Sequence, residues 1–394
     1  MLPLVPEGLT VNAFPLQMVV SVFGITGIGF TVTVTVSPKA TIANKTVSAC
    51  SGSGFTVTPS NGTDIVPSGT TYAWSSLPVV TGGLTGGATA SLQSSISGTL
   101  TNPTNIAQTA TYTVTPTSGS CTGATFTVVA TINPKPVVPN QTATICSGET
   151  FTTAPSNAAP TTIIPTGTTY TWTVAPNANV TGESDQSTGQ SSISQTLTNT
   201  TNIPQTVVYT VTPTSGDAGS CVGSNFTVTV TVNPTPTTLG LTNQTYCNGI
   251  PTTEIVLTNG VSGTTYAWTN SNTAIGLAAS GTGNIPVFTP TNSTTAPITA
   301  IISIIATANG CARTAETFTI TVNPSPAVSF SPANQTICSG DTSALVNLSS
   351  TTSGATFSWT AVQPTGITGV TTSGTNTIPV QTLVNTTNTP ITIT

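Results

Sequence analysis

The cysteines are the residues of this chain whose type and spacing could do covalent chemistry. Seven cysteines occur in 394 residues, and the sequence contains no histidine. None of them lies in a Cys-x-x-Cys pair, so the ligand spacing of a zinc site is missing. Widely spaced cysteines in a Thr- and Asn-rich chain instead predict disulfides and an oxidising, extracellular setting.

The cysteines occupy two alternating positions. One kind ends a predicted opening strand: Cys50, Cys146, Cys247 and Cys338. The other lies in the loop before a predicted closing strand: Cys121, Cys221 and Cys311. Both positions could meet at one pole of a β-sandwich, so we expect one disulfide inside each complete repeat, with free buried thiols as the alternative. The expected pairs are Cys50–Cys121, Cys146–Cys221 and Cys247–Cys311, and the partner of Cys338 is expected beyond residue 394.

Other catalytic or metal-binding chemistry finds little support in the sequence. Glu183 and Asp185 form the only close acidic pair. Calcium would need several more oxygen ligands, so a solvated loop is the simpler interpretation and calcium binding stays open. Without histidine or a recurring pair of carboxylates, neither an acid–base dyad nor a Ser-His-Asp arrangement is predicted. We therefore expect no enzymatic activity and no cofactor.

Composition excludes several classes of protein. Charged residues make up 3% of the chain, against about 25% in ordinary soluble domains. Four basic residues cannot neutralise a phosphate track, so nucleic acid is not an expected partner. A hydrophobic content of 36% argues against disorder. The uncharged run from Leu9 to Val36 is long enough to span a membrane, but Pro15 and its TVTVTV alternation favour strands over a transmembrane helix.

One stretch organises the strands, FTVTVTVNPTP at residues 226–236. Strict alternation of apolar and hydroxyl residues is typical of a half-buried β-strand, and proline cannot continue a sheet ladder. Related stretches occur at 30–38, 126–136 and 318–326. We interpret the four copies as closing strands of a repeated all-β domain.

Four tryptophans set the period of the repeat. Trp74, Trp172, Trp268 and Trp359 each follow Thr-Tyr-x or Thr-Phe-x, at steps of 98, 96 and 91 residues (172 − 74, 268 − 172 and 359 − 268). This period is the size of one immunoglobulin-like sandwich, in which such a tryptophan is a core residue; a sugar-stacking platform is the alternative. The predicted domains are the C-terminal strands of a preceding β-domain at 1–37, complete repeats at 38–134, 135–234 and 235–324, and a truncated repeat at 325–394.

The predicted linkers between these repeats are short. Asn-Pro-x-Pro joins a closing strand to the next opening strand without a flexible spacer. Because proline fixes φ and favours extended geometry, adjacent domains should be coupled semi-rigidly. We therefore expect tandem immunoglobulin-like sandwiches in an extended rod.

The combined motifs resemble a known group of repeats. T-Y-x-W, S-I-S-x-x-L-T-N, Y-T-V-T-P-T-S-G, a cysteine and F-T-V-T-V-x-V-N-P-x-P are similar to the PKD-like and immunoglobulin-like repeats of giant Bacteroidota cell-surface proteins. That group includes the mobile adhesins of gliding flavobacteria, exported by type IX secretion. The resemblance implies an extracellular, cell-surface protein.

The preferred functional hypothesis is a structural stalk or filament segment of a large adhesin. The alternatives are a module array that binds glycans or a surface directly, and an accessory region of a secreted polysaccharide-degrading enzyme. Expected partners are neighbouring repeats of the same chain and an unidentified surface or glycan ligand. Association with further copies into a fibre is compatible with the exposed Thr faces, but no residue specifies it. Asn-x-Ser/Thr sequons are frequent, and no glycosylation is assigned to them.

Overall fold

The computed structural model describes residues 17–21, 33–74, 78–216 and 219–394. In this part of the chain the regular elements are β-strands and one short 3-10 helix, Thr273–Ile275, which confirms the predicted all-β class. The chain divides into two compact units, residues 1–232 and 233–394, and each is described by itself. Much of the predicted segment 1–37, including most of the run from Leu9 to Val36, lies outside the described residues.

Among the described residues, twelve strands precede the second repeat. They are β1 Gln17–Ser21, β2 Thr33–Ser37, β3 Lys45–Cys50, β4 Gly54–Val57, β5 Thr71–Trp74, β6 Val79–Val80, β7 Thr85–Gly86, β8 Ala90–Gln93, β9 Ile96–Thr101, β10 Gln108–Ser118, β11 Cys121–Thr122 and β12 Phe126–Asn133. In the first repeat the larger sheet has the strand order β3-β12-β10-β5-β8, and a second sheet has the order β4-β9-β7. The alternation predicted for the closing strand holds in β12, whose Phe126 and Val128 are buried.

The second repeat has the same architecture. Its strands are β13 Gln141–Cys146, β14 Thr150–Thr153, β15 Thr169–Ala175, β16 Val180–Thr181, β17 Gln186–Gln190, β18 Ile193–Thr196, β19 Thr198–Asn199, β20 Gln205–Thr214 and β21 Phe226–Asn233. The main sheet has the order β13-β21-β20-β15-β17. Alternate residues of β20 face inward, and Val207, Tyr209 and Val211 are buried. A separate hydrophobic core therefore fills each of these two repeats.

The remaining strands lie in the second unit. They are β22 Gln244–Cys247, β23 Thr265–Asn270, β24 Ser280–Thr282, β25 Ile298–Ala308, β26 Cys311–Ala312, β27 Glu316–Asn323, β28 Ser329–Ser331, β29 Val346–Ser349, β30 Ser358–Thr360, β31 Ile367–Thr368, β32 Ser373–Thr375, β33 Thr377–Ile378 and β34 Val384–Asn385. The third repeat keeps the order β22-β27-β25-β23-β24 around its own core. The structure thus consists of tandem β-sandwich repeats. The exact bounds of these repeats stay a prediction from the sequence.

The direction of the opening strand decides where its cysteine lies. β3 pairs with the closing strand β12 in parallel, and Cys50 stands opposite Asn133, the last residue of β12. In the third repeat β22 pairs with β27 in parallel, and Cys247 stands opposite Asn323. Parallel neighbours end at the same side of a sheet. The first cysteine of a repeat therefore lies at the exit pole, defined here as the end of the sandwich where the chain leaves for the next repeat.

Candidate functional site: the disulfide-linked junction

A disulfide joins the first repeat to the second. Cys50 is bonded to Cys221, 171 residues later in the sequence, with a Cα–Cα distance of 5.6 Å. This separation of the Cα atoms lies in the usual range for a disulfide. The bond connects the exit pole of one sandwich with the loop before the closing strand of the next.

The three predicted intradomain pairs are therefore wrong. Cys221 is bonded to Cys50, which excludes both Cys50–Cys121 and Cys146–Cys221. Cys247 is a free thiol, which excludes Cys247–Cys311. The disulfide-bonded set is Cys50, Cys146, Cys221 and Cys311. Cys121, Cys247 and Cys338 are free thiols.

The error has a physical cause in strand direction. The prediction assumed that the end of the opening strand meets the loop before the closing strand. Because β3 and β12 run parallel, Cys50 lies where β12 ends, whereas Cys121 precedes the point where β12 begins. The eight residues of β12 span about 26 Å at roughly 3.3 Å per residue. A disulfide cannot join two cysteines across that distance.

A Cys-Ser-Gly turn fixes Cys50 at the exit pole. The backbone N–H of Ser51 donates to the carbonyl oxygen of Asn133 at 2.9 Å, and the N–H of Gly52 donates to that of Leu100 at 2.8 Å. Gly52 has φ +76, a left-handed conformation that glycine adopts without a steric cost. The turn thus bonds the cysteine to the last residue of the closing strand and to the opposite sheet.

A buried asparagine clamps the same pole. Asn102 is 2% exposed, and its Nδ2 donates to the carbonyl oxygens of Ile106 at 2.8 Å and Ile132 at 2.9 Å. Its Oδ1 accepts from the N–H of Thr104 at 2.9 Å. Buried polar groups are costly unless they are paired, and this single side chain pairs three backbone groups. Its own N–H donates to Ser51 Oγ at 2.9 Å, which couples the clamp to the cysteine turn.

The clamp recurs in the later repeats. Asn199 Nδ2 donates to Ile203 O at 2.8 Å and to Val232 O at 2.9 Å. Asn292 Nδ2 donates to Ala296 O at 2.9 Å and to Val322 O at 2.8 Å. Ile132, Val232 and Val322 are each the penultimate residue of a closing strand. Each clamp therefore holds a closing strand where it enters the linker.

The loop of the second repeat holds Cys221 from the other side. The N–H of Cys221 donates to Ser215 Oγ at 2.9 Å, and the N–H of Ser215 donates to Cys221 O at 3.0 Å. Cys221 is 1% exposed. Gly219 approaches so closely that an added Cβ would collide with the side-chain amide of Asn133. The loop therefore packs directly on the end of the preceding closing strand.

The linker is held by the repeat that it enters. Val137 and Ile163 exchange two backbone hydrogen bonds, of 3.0 and 2.8 Å. Beside them Gly223 packs so tightly that a Cβ would lie 2.5 Å from Pro136 O and 2.8 Å from Pro213 Cγ. Real Cβ contacts of this length essentially do not occur, so only glycine fits without a shift. Three residues therefore separate the closing strand from the first anchored position of the next repeat.

An arginine contacts the linker in the third repeat. Arg313 Nη1 donates to the carbonyl oxygen of Pro236 at 3.1 Å, and Arg313 Nε lies 2.7 Å from Glu316 Oε1. Asn233 Nδ2 donates to Asn309 O at 3.0 Å. The guanidinium thus donates one hydrogen bond to the linker carbonyl and forms an ion pair with the carboxylate. Polar side chains here take the place of the close backbone contact seen at Gly223.

Charge within the first repeat is concentrated in one ion pair. Lys45 Nζ lies 2.6 Å from Asp64 Oδ2, and Asp64 Oδ1 accepts from the N–H of Ala43 at 3.0 Å. Burial raises the pKa of Asp64. The hydrogen bonds from Lys45 and Ala43 and the positive charge of Lys45 together lower this pKa by more than burial raises it, so the pKa lies below its usual value. The pair joins the start of β3 to the segment beneath it.

The predicted core tryptophans occupy sandwich interiors in the first, second and third repeats. Trp74, Trp172 and Trp268 are 3%, 5% and 3% exposed, whereas Trp359 is half-buried. The indole N–H of Trp74 donates to Ala88 O at 2.6 Å. Rings enclosed in this way are not available as a platform for sugar stacking.

The acidic pair is held by the backbone. Glu183 Oε1 accepts from the N–H of Asn177 at 2.8 Å, and Asp185 Oδ1 accepts from the N–H of Val174 at 2.8 Å. Within the described ranges no group of three His, Cys, Asp or Glu residues is placed to hold a metal ion. In the same part of the chain, no helix has the length and apolar character needed to cross a membrane.

Sequence reasoning missed the asparagine clamps and the glycine beside the linker. Both had a signal in the sequence. Asn-x-Thr recurs after each tryptophan, at Asn102, Asn199, Asn292 and Asn385. Cys-x-Gly recurs at Cys121 and Cys221, before two of the closing strands. Without the fold, neither pattern shows which backbone groups it contacts.

Comparisons with known proteins agree with the repeat architecture. Residues 45–136 and 143–236 match a family model described as "PKD-like domain". These two segments are therefore similar to a PKD-like, extracellular-type repeat. No curated protein matches the chain.

Among solved structures, the chain is similar to cadherin-type ectodomains. Cadherin domains 1–4 of protocadherin gamma B7 match with 13% identity and a TM-score of 0.28, over 70% of this chain and 75% of that chain. The human desmocollin-1 ectodomain matches with 12% identity and a TM-score of 0.23, over 89% and 74%. Mouse cadherin-23 domains EC22–24 match with 12% identity and a TM-score of 0.25, over 72% and 97%.

Proposed function

We propose that this chain is a load-bearing stalk or filament segment of a large secreted bacterial surface adhesin, which presents a distal binding region. The observation that carries the proposal is the Cys50–Cys221 disulfide, because it links successive repeats by a second covalent route. The resemblance of the motifs to Bacteroidota adhesin repeats supports an extracellular, cell-surface location with export by type IX secretion. It equally suggests a role in adhesion or gliding.

The junction is suited to transmitting force. The linker is anchored within three residues of the closing strand, and buried asparagines hold the strand ends. Under tension the disulfide keeps the 171 residues between Cys50 and Cys221 out of the extended path. At roughly 3.4 Å per residue, these residues would otherwise lengthen the chain by about 580 Å.

Force spectroscopy on the full chain, held by its two ends, tests this function. We expect reductant to increase the total unfolding length by at least about 580 Å. The Cys338→Ser variant is the matched control, because Cys338 is an exposed free thiol, and it should show the same increase. An unfolding length that reductant does not change would contradict a load-bearing role for the bond.

Solution scattering provides a test of shape. The longest strand of the first repeat has 11 residues, so each repeat should add about 35 Å to an extended particle. A compact particle would contradict the stalk. A glycan array tests the alternative of a binding array, which would gain support from specific binding that a loop substitution abolishes.

A further inference from the structure

We propose that the Cys50–Cys221 bond is one rung of a repeating disulfide ladder. In this ladder the first cysteine of each repeat bonds to the second cysteine of the repeat that follows. The rule follows the order of the repeats along the chain. It also assigns the free thiols Cys121, Cys247 and Cys338 to neighbouring repeats of the same polypeptide, outside residues 1–394. The inference deepens the proposed load-bearing function and rests on it only for its mechanical consequence.

Cys247 has the surroundings of Cys50. It stands opposite the last residue of its closing strand, Asn323, in a parallel register, as Cys50 stands opposite Asn133. In the turn that follows, the N–H of Gly249 donates to Pro290 O at 2.8 Å, as Gly52 does to Leu100. Cys247 is exposed at the exit pole of its repeat. Its thiol is thus placed for the loop cysteine of a following repeat.

Cys338 repeats this arrangement. The N–H of Gly340 donates to Leu383 O at 2.8 Å. Ser339 Oγ accepts from the N–H of Asn385 at 3.0 Å, as Ser51 Oγ does from Asn102. Cys338 is also exposed. The turn that presents a first cysteine is therefore built in the same way at Cys50, Cys247 and Cys338.

Cys121 shows the other half of a rung. It is fully buried, and its Sγ lies 4.0 Å from the carbonyl oxygen of Ser37, the last residue of β2. Cys221 meets the preceding strand in the same place, beside Asn133 at the end of β12. Gly123 also packs on Ala40 O as Gly223 packs on Pro136 O, each with a hypothetical Cβ contact of 2.5 Å. Cys121 therefore lies where a first cysteine of a preceding repeat would end its strand.

Formation of each rung is an ordinary thiol–disulfide exchange. The thiolate of one cysteine attacks a low-molecular-weight disulfide, forms a mixed disulfide and releases one thiol. The second cysteine of the rung then attacks the mixed disulfide, closes the protein S–S bond and releases the second thiol. Two protein thiols are oxidised, one small disulfide is reduced to two thiols, and the protons remain with the products.

The ladder would create two interleaved covalent tracks along the chain. In the first track, the Cys50–Cys221 disulfide is followed by 26 residues of polypeptide, from Cys221 to Cys247 (247 − 221). Cys247 then forms the next disulfide of that track. The other track passes through 25 residues from Cys121 to Cys146 (146 − 121). Of the 197 residues from Cys50 to Cys247 (247 − 50), only those 26 lie on the first track. Each polypeptide part of a track consists of a closing strand, a linker and an opening strand.

A lengthened chain tests the rule. In it, residues 1–323 are followed directly by residues 38–394, so the third repeat is followed by a second copy of the first. After refolding with oxidised glutathione, free thiols are alkylated and the unreduced digest is mapped by mass spectrometry. We expect a new peptide that joins Cys247 to Cys121, and at least about tenfold less alkylated Cys247 from the first copy than in the 394-residue chain.

Two variants of the lengthened chain supply the control. Cys121→Ser in the second copy should abolish the new peptide, whereas Cys121→Ser in the first copy should leave it unchanged. A Cys247 that stays fully alkylated in the lengthened chain would overturn the rule, as would peptides that join Cys50 to Cys121. Disulfide mapping applies no force, so a failed load-bearing test would leave a confirmed ladder in place.

Discussion

The second and third repeats meet their incoming linkers in different ways. Gly223 lets the backbone of the second repeat touch Pro136 O, where any side chain would collide. In the third repeat, Arg313 reaches Pro236 O with its guanidinium and also contacts Glu316. The first solution depends on the absence of a Cβ, and the second on a flexible side chain. A rigid contact should tolerate substitution far less than an adaptable one.

The cores of the same two repeats also differ. Tyr209 stands opposite Val228 in the second repeat, whereas Ala300 stands opposite Ile320 at the corresponding register in the third. The tyrosine hydroxyl donates to Gln195 Oε1 at 2.8 Å. The third core instead contains Ile275 from the 3-10 helix. Both repeats have the asparagine clamp at the exit pole. The contacts at this pole therefore differ less between the two repeats than the residues of their cores do.

The largest effect is expected from Gly223→Ala. A Cβ 2.5 Å from Pro136 O must push the linker away, which should cost about 3 kcal/mol of local stability. Hydrogen exchange of the amides in β21, followed by mass spectrometry, measures the change. Gly54→Ala is the control, because its nearest contact would be an ordinary 3.6 Å. Equal exchange in both variants would contradict the tight contact.

The next largest effect is expected from Asn199→Ala. The substitution removes the side-chain donor to the buried carbonyl oxygen of Val232 and one of two side-chain donors to the carbonyl oxygen of Ile203, at a cost of about 2 kcal/mol. Asn292→Ala should give a similar loss in the third repeat, because its contacts are the same. Hydrogen exchange in β21 and β27 tests the pair. A much smaller effect in one repeat would show that the clamp is not a shared feature. Thr198→Ala is the control, because Thr198 is an exposed neighbour of Asn199, and it should change hydrogen exchange in neither β21 nor β27.

Alkaline pH should destabilise the core of the second repeat through Tyr209. Burial, with the nearby charge of Glu183 as a smaller cause, raises the pKa of Tyr209 above its ordinary value. Since the folded pKa is above the unfolded value of about 10, the contribution to stability is complete below pH 10 and is lost as the pH rises. The ratio of folded to unfolded protein should fall by up to about tenfold per pH unit for this group. In a titration to alkaline pH, the absorbance of tyrosinate should therefore rise in a late phase that coincides with loss of β-structure. The amplitude of this phase should be smaller in the Tyr209→Phe variant.

A smaller effect is expected from Gln195→Gly. The first repeat has Gly98 at this position, and among the described residues the buried hydroxyl of Tyr112 has no hydrogen-bond partner. Removing Gln195 should make Tyr209 resemble Tyr112 and cost about 1 kcal/mol, from the lost hydrogen bonds with Tyr209 and Ser184 and the added backbone freedom. Gln195→Ala separates these two causes. Unchanged exchange of β20 amides in both variants would show that the hydrogen bond contributes nothing.

The smallest effect is expected from Arg313→Ala. The guanidinium is partly exposed, and ion pairs of this kind contribute less than about 1 kcal/mol. Hydrogen exchange in β27 should change little, in contrast to β21 in Gly223→Ala. A loss as large as that of Gly223→Ala would remove the distinction between the two ways of meeting the linker.

Much of the fold could be predicted because its signals are local. The alternation of β12 and β21 and the period of the tryptophans depend on residues close in sequence. The partner of Cys50 depends on a different kind of information, the parallel pairing of β3 with β12 about 80 residues later. The spacing of the cysteines fits an intradomain pair equally well until that direction is known. The asparagine clamps were missed for the same reason, since Asn102 contacts Ile132 across the exit pole.

The parallel pairing of β3 with β12 has a consequence for how the protein is made. As the chain emerges from its N-terminus, Cys50 meets Cys121 and Cys146 long before Cys221 exists. Oxidation that ran ahead of folding would join neighbours in order of appearance and trap wrong bonds. Burial of Cys121 against the end of β2 withdraws that thiol from such encounters once the first sandwich has formed. Correct disulfide formation therefore requires each sandwich to close before its exposed cysteine is oxidised, which makes folding a sequential process from one repeat to the next.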